Sequence, residues 1–132
     1  MSLDFQMLLW SIALAFIQML VAVSGCVLQV GLPKLAGNRE GLPTMAGWVG
    51  RAQRAHLNML ENLVLFAPLV LIADITSRNN AVTELGAQIF FWARLVYAIV
   101  YIVGIPWLRT MIWGISVVGL VMIFVQLVRG LG

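Results

Sequence analysis

The chain has 132 residues, 62% hydrophobic and only 10% charged, with a mean hydropathy of +1.01 and a formal net charge of +3. Soluble domains carry about 25% charged residues, so this composition excludes one and points to an integral membrane protein. The basic excess belongs to membrane topology and gives no sign of a nucleic-acid partner.

In chain order, the first apolar stretch covers about residues 5–32 and contains no ionisable side chain. No basic segment precedes it and it is too long for a signal peptide, so it is expected to be retained as a span. The lone Cys26 has no intrachain disulfide partner and is expected to pack in the middle of that span. Residues 33–50 then carry Pro33, Gly37, Gly41, Pro43, Gly47 and Gly50, which predicts a loop, with Trp48 as an interfacial anchor. The second span is placed at about 51–75, with a kink at Pro68. A short polar connection follows, in which Asn80 or Thr83 caps the third span, about 84–105, and Asp74 and Arg78 are solvated nearby. Pro106 ends that span, and the fourth runs over about 108–128, without a charge from Thr110 on.

Each stretch is long enough to cross a hydrocarbon core of ~30 Å at ~1.5 Å per residue. The fold class is therefore all-α: one integral membrane four-helix bundle over residues 1–132. Lys34, Arg39, Arg51, Arg54 and Arg109 lie on or near the first and third connections, and only Arg78 and Arg129 lie at the other end. The positive-inside rule then puts both termini on the non-cytoplasmic side.

Two spans carry polar residues in register. Arg54, Asn58 and Glu61 share one helix face by their spacing, as do Arg94, Tyr97 and Tyr101. Antiparallel helices keep a constant sum of residue numbers at equal depth. If Arg54 faces Tyr101, then Asn58 faces Tyr97 and Glu61 faces Arg94, the last pair ~16 Å into the membrane. A carboxylate and a guanidinium at that depth are expected to be paired, directly or through a ligand or water, within one chain or between chains. Ionisable groups inside a bilayer are costly and mark a functional site by default. Arg54 suits a carboxylate, Glu61 an ammonium group, and Asn58 offers a donor and an acceptor. The tyrosines combine an apolar ring with a hydroxyl, and Arg109 adds positive charge at the mouth. The set fits a zwitterion with surplus negative charge entering from the cytosol. If that ligand carries a thiol, the arginines favour the thiolate nucleophile, and the apolar surroundings admit a lipophilic co-substrate from the bilayer.

Structural readings stand beside these. The second-span residues can be interhelical glue. The Glu61–Arg94 pair can be purely structural, Arg51 can be an interfacial anchor, and Tyr97, Tyr101 and the remaining tryptophans can be packing. His56 lies off the polar face and has no second histidine or carboxylate spaced for a metal or catalytic dyad, so it reads as a contact residue.

The run Arg51-x-x-Arg54-Ala-x-x-Asn58-x-x-Glu61-Asn62, followed by Phe66 and Pro68, resembles the second-helix signature of the MAPEG family, the membrane-associated proteins in eicosanoid and glutathione metabolism. The stretch Arg94-x-x-Tyr97-x-x-x-Tyr101 is similar to its third-helix motif, and the ending Gly104-Ile-Pro106-Trp-Leu-Arg109 looks like bacterial members. The resemblance implies a homotrimer in the bacterial inner membrane with a glutathione site between subunits, facing the cytoplasm. It implies glutathione as co-substrate, bound by Arg51, Arg54, Asn58, Glu61, Arg94, Tyr97 and Tyr101, with Glu61 on the γ-glutamyl amine and Arg109 stabilising the thiolate. Leu57, where some eicosanoid-forming members carry arginine, directs the resemblance toward a detoxifying glutathione transferase or peroxidase acting on lipophilic electrophiles. The alternative is a non-catalytic accessory or scaffold subunit of a membrane complex with the same fold.

Overall fold

A computed structural model describes residues 1–131, and among these the only regular secondary structure is α-helix. The helices are α1 (Leu3–Val30), the short α2 (Leu32–Ala36), α3 (Gly47–Ile75), α4 (Ala81–Val103) and α5 (Pro106–Arg129). The four long ones have the length and composition of membrane spans.

Local signals set most boundaries. Ser2 caps α1 by accepting from the Phe5 N–H. At α4, Asn80 accepts from the N–H groups of Val82 and Thr83, and the Thr83 hydroxyl accepts from the Asn80 N–H. Both expected residues therefore act, as a reciprocal capping box. Gly104 closes α4 in the left-handed region at φ +94°, which a residue with a Cβ rarely adopts. Extended Ile105 and Pro106 in the first turn then launch α5.

The first connection departs from a plain loop. Residues 32–36 form α2, and α3 starts at Gly47 rather than near Arg51. Gln29 explains the early start: its side-chain amide donates to the Ala46 carbonyl at 2.8 Å and accepts from the Ala46 N–H at 3.2 Å. That pair of bonds holds the residue before the helix against α1 and outweighs the two glycines of the first turn. Trp48 and Val49 pack on α1 where Gly25 leaves no side chain; a Cβ there would lie 2.9 Å from the Trp48 ring. Cys26 is buried one turn from the end of α1, not in mid-span, and its Sγ accepts from Gln53 Nε2 at 3.2 Å.

The four long helices form a diamond. α3 and α4 touch across its short diagonal; α1 packs on both, α5 packs on both, and α1 and α5 do not meet among the described residues. In one half the core is apolar, built on the stacked rings of Phe66 and Phe90, 4.0 Å between centroids, with Leu8, Val70, Leu120 and Ile123 around them. Small residues set the α4–α5 distance: a Cβ on Gly86 would lie 2.7 Å from the Gly119 carbonyl oxygen. Close backbone approach of this kind is how helices associate in lipid, where apolar burial gives no driving force between them.

Candidate functional site

The other half of the α3–α4 contact is polar. It holds a small cluster of Ala55, Ala93, Tyr97, Val100, Tyr101 and Ile112. The alanines bring the two backbones close enough for long polar side chains to meet beside them.

Arg54 Nε donates to the Tyr101 hydroxyl at 3.2 Å, so the depth pairing expected for these residues holds. Arg109, from the first turn of α5, lies over the Tyr101 ring with its guanidinium carbon 4.4 Å from the centroid; the Arg54 carbon is 5.9 Å from it. One tyrosine thus gathers a cation from α3 and another from α5, stabilised by the negative face of the ring. Pro106 is what places Arg109 there, because it turns the chain directly after α4.

The deeper pairing is different. Arg94 is 1% exposed, yet its partner is Asn58: Nη2 donates to Oδ1 at 2.8 Å. Its guanidinium also lies 4.2 Å from the centre of the Tyr97 ring, while Nε and Nη1 have no partner among the described residues. Of the pairings left open for Glu61 and Arg94, the direct one within the chain is not formed. A three-residue offset is ~4.5 Å along a helix, and the flexible arginine uses it to reach toward the polar mouth, as long cationic side chains do in membranes. Glu61 is left exposed.

Asn62 belongs to this network although its role was not read from the sequence. Its Nδ2 donates to the Asn58 carbonyl at 2.8 Å and to Asn58 Oδ1 at 3.2 Å. The i, i+4 spacing was the available signal. With Oδ1 engaged twice, Asn58 has its own amide hydrogens left for a ligand. Tyr97 and Tyr101 meet edge to face, 5.5 Å between centroids, which joins the deep group to the mouth.

Arg51 stands apart. Its Nε donates to the Ile102 carbonyl at 2.8 Å, at the end of α4 where carbonyls lack helical partners. This is a structural role beside the one expected in ligand binding.

On its other flank Arg54 borders a cavity of about 720 Å³ between α1, α2, residues 37–46 and α3. The half-buried His56 and Gln53 also line it, so His56 is a cavity residue. Among the described residues no group of His, Cys, Asp and Glu side chains is arranged to hold a metal ion.

The model of the MAPEG family matches residues 7–129. No curated protein matches the chain. The family match covers nearly the whole sequence, and the chain belongs to the MAPEG family.

Proposed function

We propose that this MAPEG member is a glutathione transferase or peroxidase of the bacterial inner membrane, in which a glutathione thiolate attacks lipophilic electrophiles or hydroperoxides. The observation that carries the reading is the convergence of Arg54 and Arg109 on Tyr101. Neither guanidinium is bonded to a carboxylate among the described residues, so the pair presents unbalanced positive charge to an anion. Glutathione has two carboxylates, an ammonium group and a thiol. Arg54 takes a carboxylate in its planar fork. Asn58 donates its free amide hydrogens, and Glu61 takes the ammonium. Arg109 stabilises the thiolate, held in place by the Tyr101 ring. Arg94, stacked on the Tyr97 ring, holds Asn58 from behind.

The exposed position of Glu61 supports an assembly of several copies, with the homotrimer as our reading. A carboxylate within a membrane span does not face lipid without cost. A second chain packed against this part of α3 would cover Glu61 and close a ligand site between subunits, open to the cytosol.

The test is glutathione binding to the purified protein in uncharged detergent, with thiolate followed by ultraviolet absorbance. Binding with a thiolate signal that disappears in Arg109→Ala supports the reading. Absence of binding at millimolar glutathione overturns it and favours an accessory subunit with the same fold.

A further inference from the structure

Three polar side chains inside the bundle have bonding capacity that no protein group takes up. Ser11 Oγ and Gln18 Oε1 on α1, and Arg94 Nε and Nη1 on α4, are enclosed and have no partner among the described residues. All three residues are more than nine-tenths buried. In a bilayer such groups cannot turn to solvent and have to be satisfied from within.

The three share a seam. Ser11 and Gln18 lie seven residues apart on the buried stripe of α1, beside Leu8, Ala15 and Ala22, and α1 packs on both α3 and α4. Gln29 bonds to Ala46 and Gly25 adjoins Val49, which sets the register of α1 on α3. The bond from Arg54 to Tyr101 sets the register of α4 on α3. In that register Arg94 falls between Ser11 and Gln18, about 3–5 Å from the first and about 6–8 Å from the second along the axis at ~1.5 Å per residue. Asp4, the remaining unpartnered group of α1, is about 14 Å from Arg94 by the same count, too far to be its counter-ion. His56, whose Nδ1 is also unpartnered, lies on the cavity flank of α3.

The two sides complement each other. Arg94 has N–H donors to give, Gln18 Oε1 accepts, and the Ser11 hydroxyl both accepts and donates. Buried water is what links such groups when they do not meet directly, with about three hydrogen bonds to each molecule. Ser11 and Gln18 are ~10.5 Å apart along α1, so one water does not reach both.

We propose that α1, α3 and α4 enclose a two-water site. One water links Arg94 Nη1 to Gln18 Oε1, and the other links Arg94 Nε, nearer its own backbone, to Ser11 Oγ. Gln18 and Ser11 are then positioning residues: they hold the guanidinium from the α1 side, while Asn58 and the Tyr97 ring hold it from the other. The site lies beyond the glutathione reading, and its test contains no glutathione.

The experiment uses the full-length protein, with its arginines labelled with a nitrogen isotope, in uncharged detergent. Arg94→Lys assigns the Arg94 Nε–H resonance by its loss. That proton is expected to show a nuclear Overhauser contact with water although the residue is buried. Ser11→Val fills the place of the water and is expected to abolish the contact. Ser24→Val, at an exposed position of the same helix, should leave it unchanged. Thermal unfolding gives a second readout. Gln18→Glu sets a carboxylate across one water from a guanidinium that meets no carboxylate among the described residues, and is expected to raise the unfolding temperature by about 4 °C or more. In an Arg94→Met background the same change should lower it. Absence of a water contact at the Arg94 Nε–H of the unsubstituted protein overturns the proposal. So does a fall in unfolding temperature for Gln18→Glu alone, which is the result for a carboxylate placed in an apolar core.

Discussion

Arg94 Nη2 donates to Asn58 Oδ1 at 2.8 Å, and this contact ties α4 to α3 in the polar half of the bundle. Arg94 has two further nitrogens without partners there, so it depends on this bond and on the Tyr97 ring. Replacing Asn58 with Leu strands a buried cation, at a cost of about 1–3 kcal/mol or more. Asn58→Asp supplies a full charge instead and is expected to raise stability. The measurement is thermal unfolding in detergent without glutathione. Equal stability of Asn58→Leu and wild type would remove the contact from the account.

Tyr101 is expected to act through both its hydroxyl and its ring. Tyr101→Phe loses only the bond from Arg54, a change of about 0.5–1.5 kcal/mol, or roughly two- to tenfold weaker glutathione binding. It keeps the ring under Arg109, so the thiolate absorbance per bound glutathione should stay as in wild type. Tyr101→Leu removes the ring as well and should lose the thiolate signal. A Phe variant that already lacks the signal would show that the hydroxyl, not the ring, serves Arg109.

Glu61 makes no hydrogen bond among the described residues, and Arg94 is engaged elsewhere. Glu61→Gln is therefore expected to leave the stability of the glutathione-free protein unchanged or higher, since charged groups cost about 2.5–3.5 kcal/mol at the centre of a membrane helix. Its glutathione affinity should fall by about tenfold or more if the carboxylate meets the ammonium. A loss of stability as large as that of Asn58→Leu would reinstate a Glu61–Arg94 pair.

The sequence carried the spans and the mouth of the site because both follow from backbone periodicity. Equal depth for Arg54 and Tyr101 needed only helix rise and antiparallel order, and the bond between them agrees. Arg94 escaped the same reasoning because its side chain reaches about a helical turn along the axis, and Cα depth does not specify a rotamer. The start of α3 was hidden by Gly47 and Gly50, whose helix-breaking tendency is overcome by Gln29, a residue far away in sequence. The cavity was hidden for a similar reason: its walls come from α1, α2, the segment after it and α3, and no local pattern joins them.

The α4–α5 crossing should tolerate no side chain. At Gly86 a Cβ would lie 2.7 Å from the Gly119 carbonyl and 3.0 Å from Ile123 Cγ1, and the carbonyl cannot move aside without moving its helix. Gly86→Val is expected to destabilise the bundle by about 1–3 kcal/mol or more through overpacking. Gly114 has open space around it, so Gly114→Ala on the same α5 should be neutral or slightly stabilising. Similar thermal stability for the two variants would contradict the close approach.

Asp4 presents the opposite case, a group whose removal should help. It is fully buried in the first turn of α1, and neither carboxylate oxygen has a partner among the described residues. Its place near a helix N-terminus is favourable by about 0.3–1 kcal/mol. Burying an unpaired carboxylate costs several kcal/mol, so the unfavourable effect is the larger. Asp4→Asn keeps the shape, removes the charge and is expected to raise the unfolding temperature in detergent. A marked fall would mean that the carboxylate's favourable interaction with the N-terminus of α1 outweighs its burial.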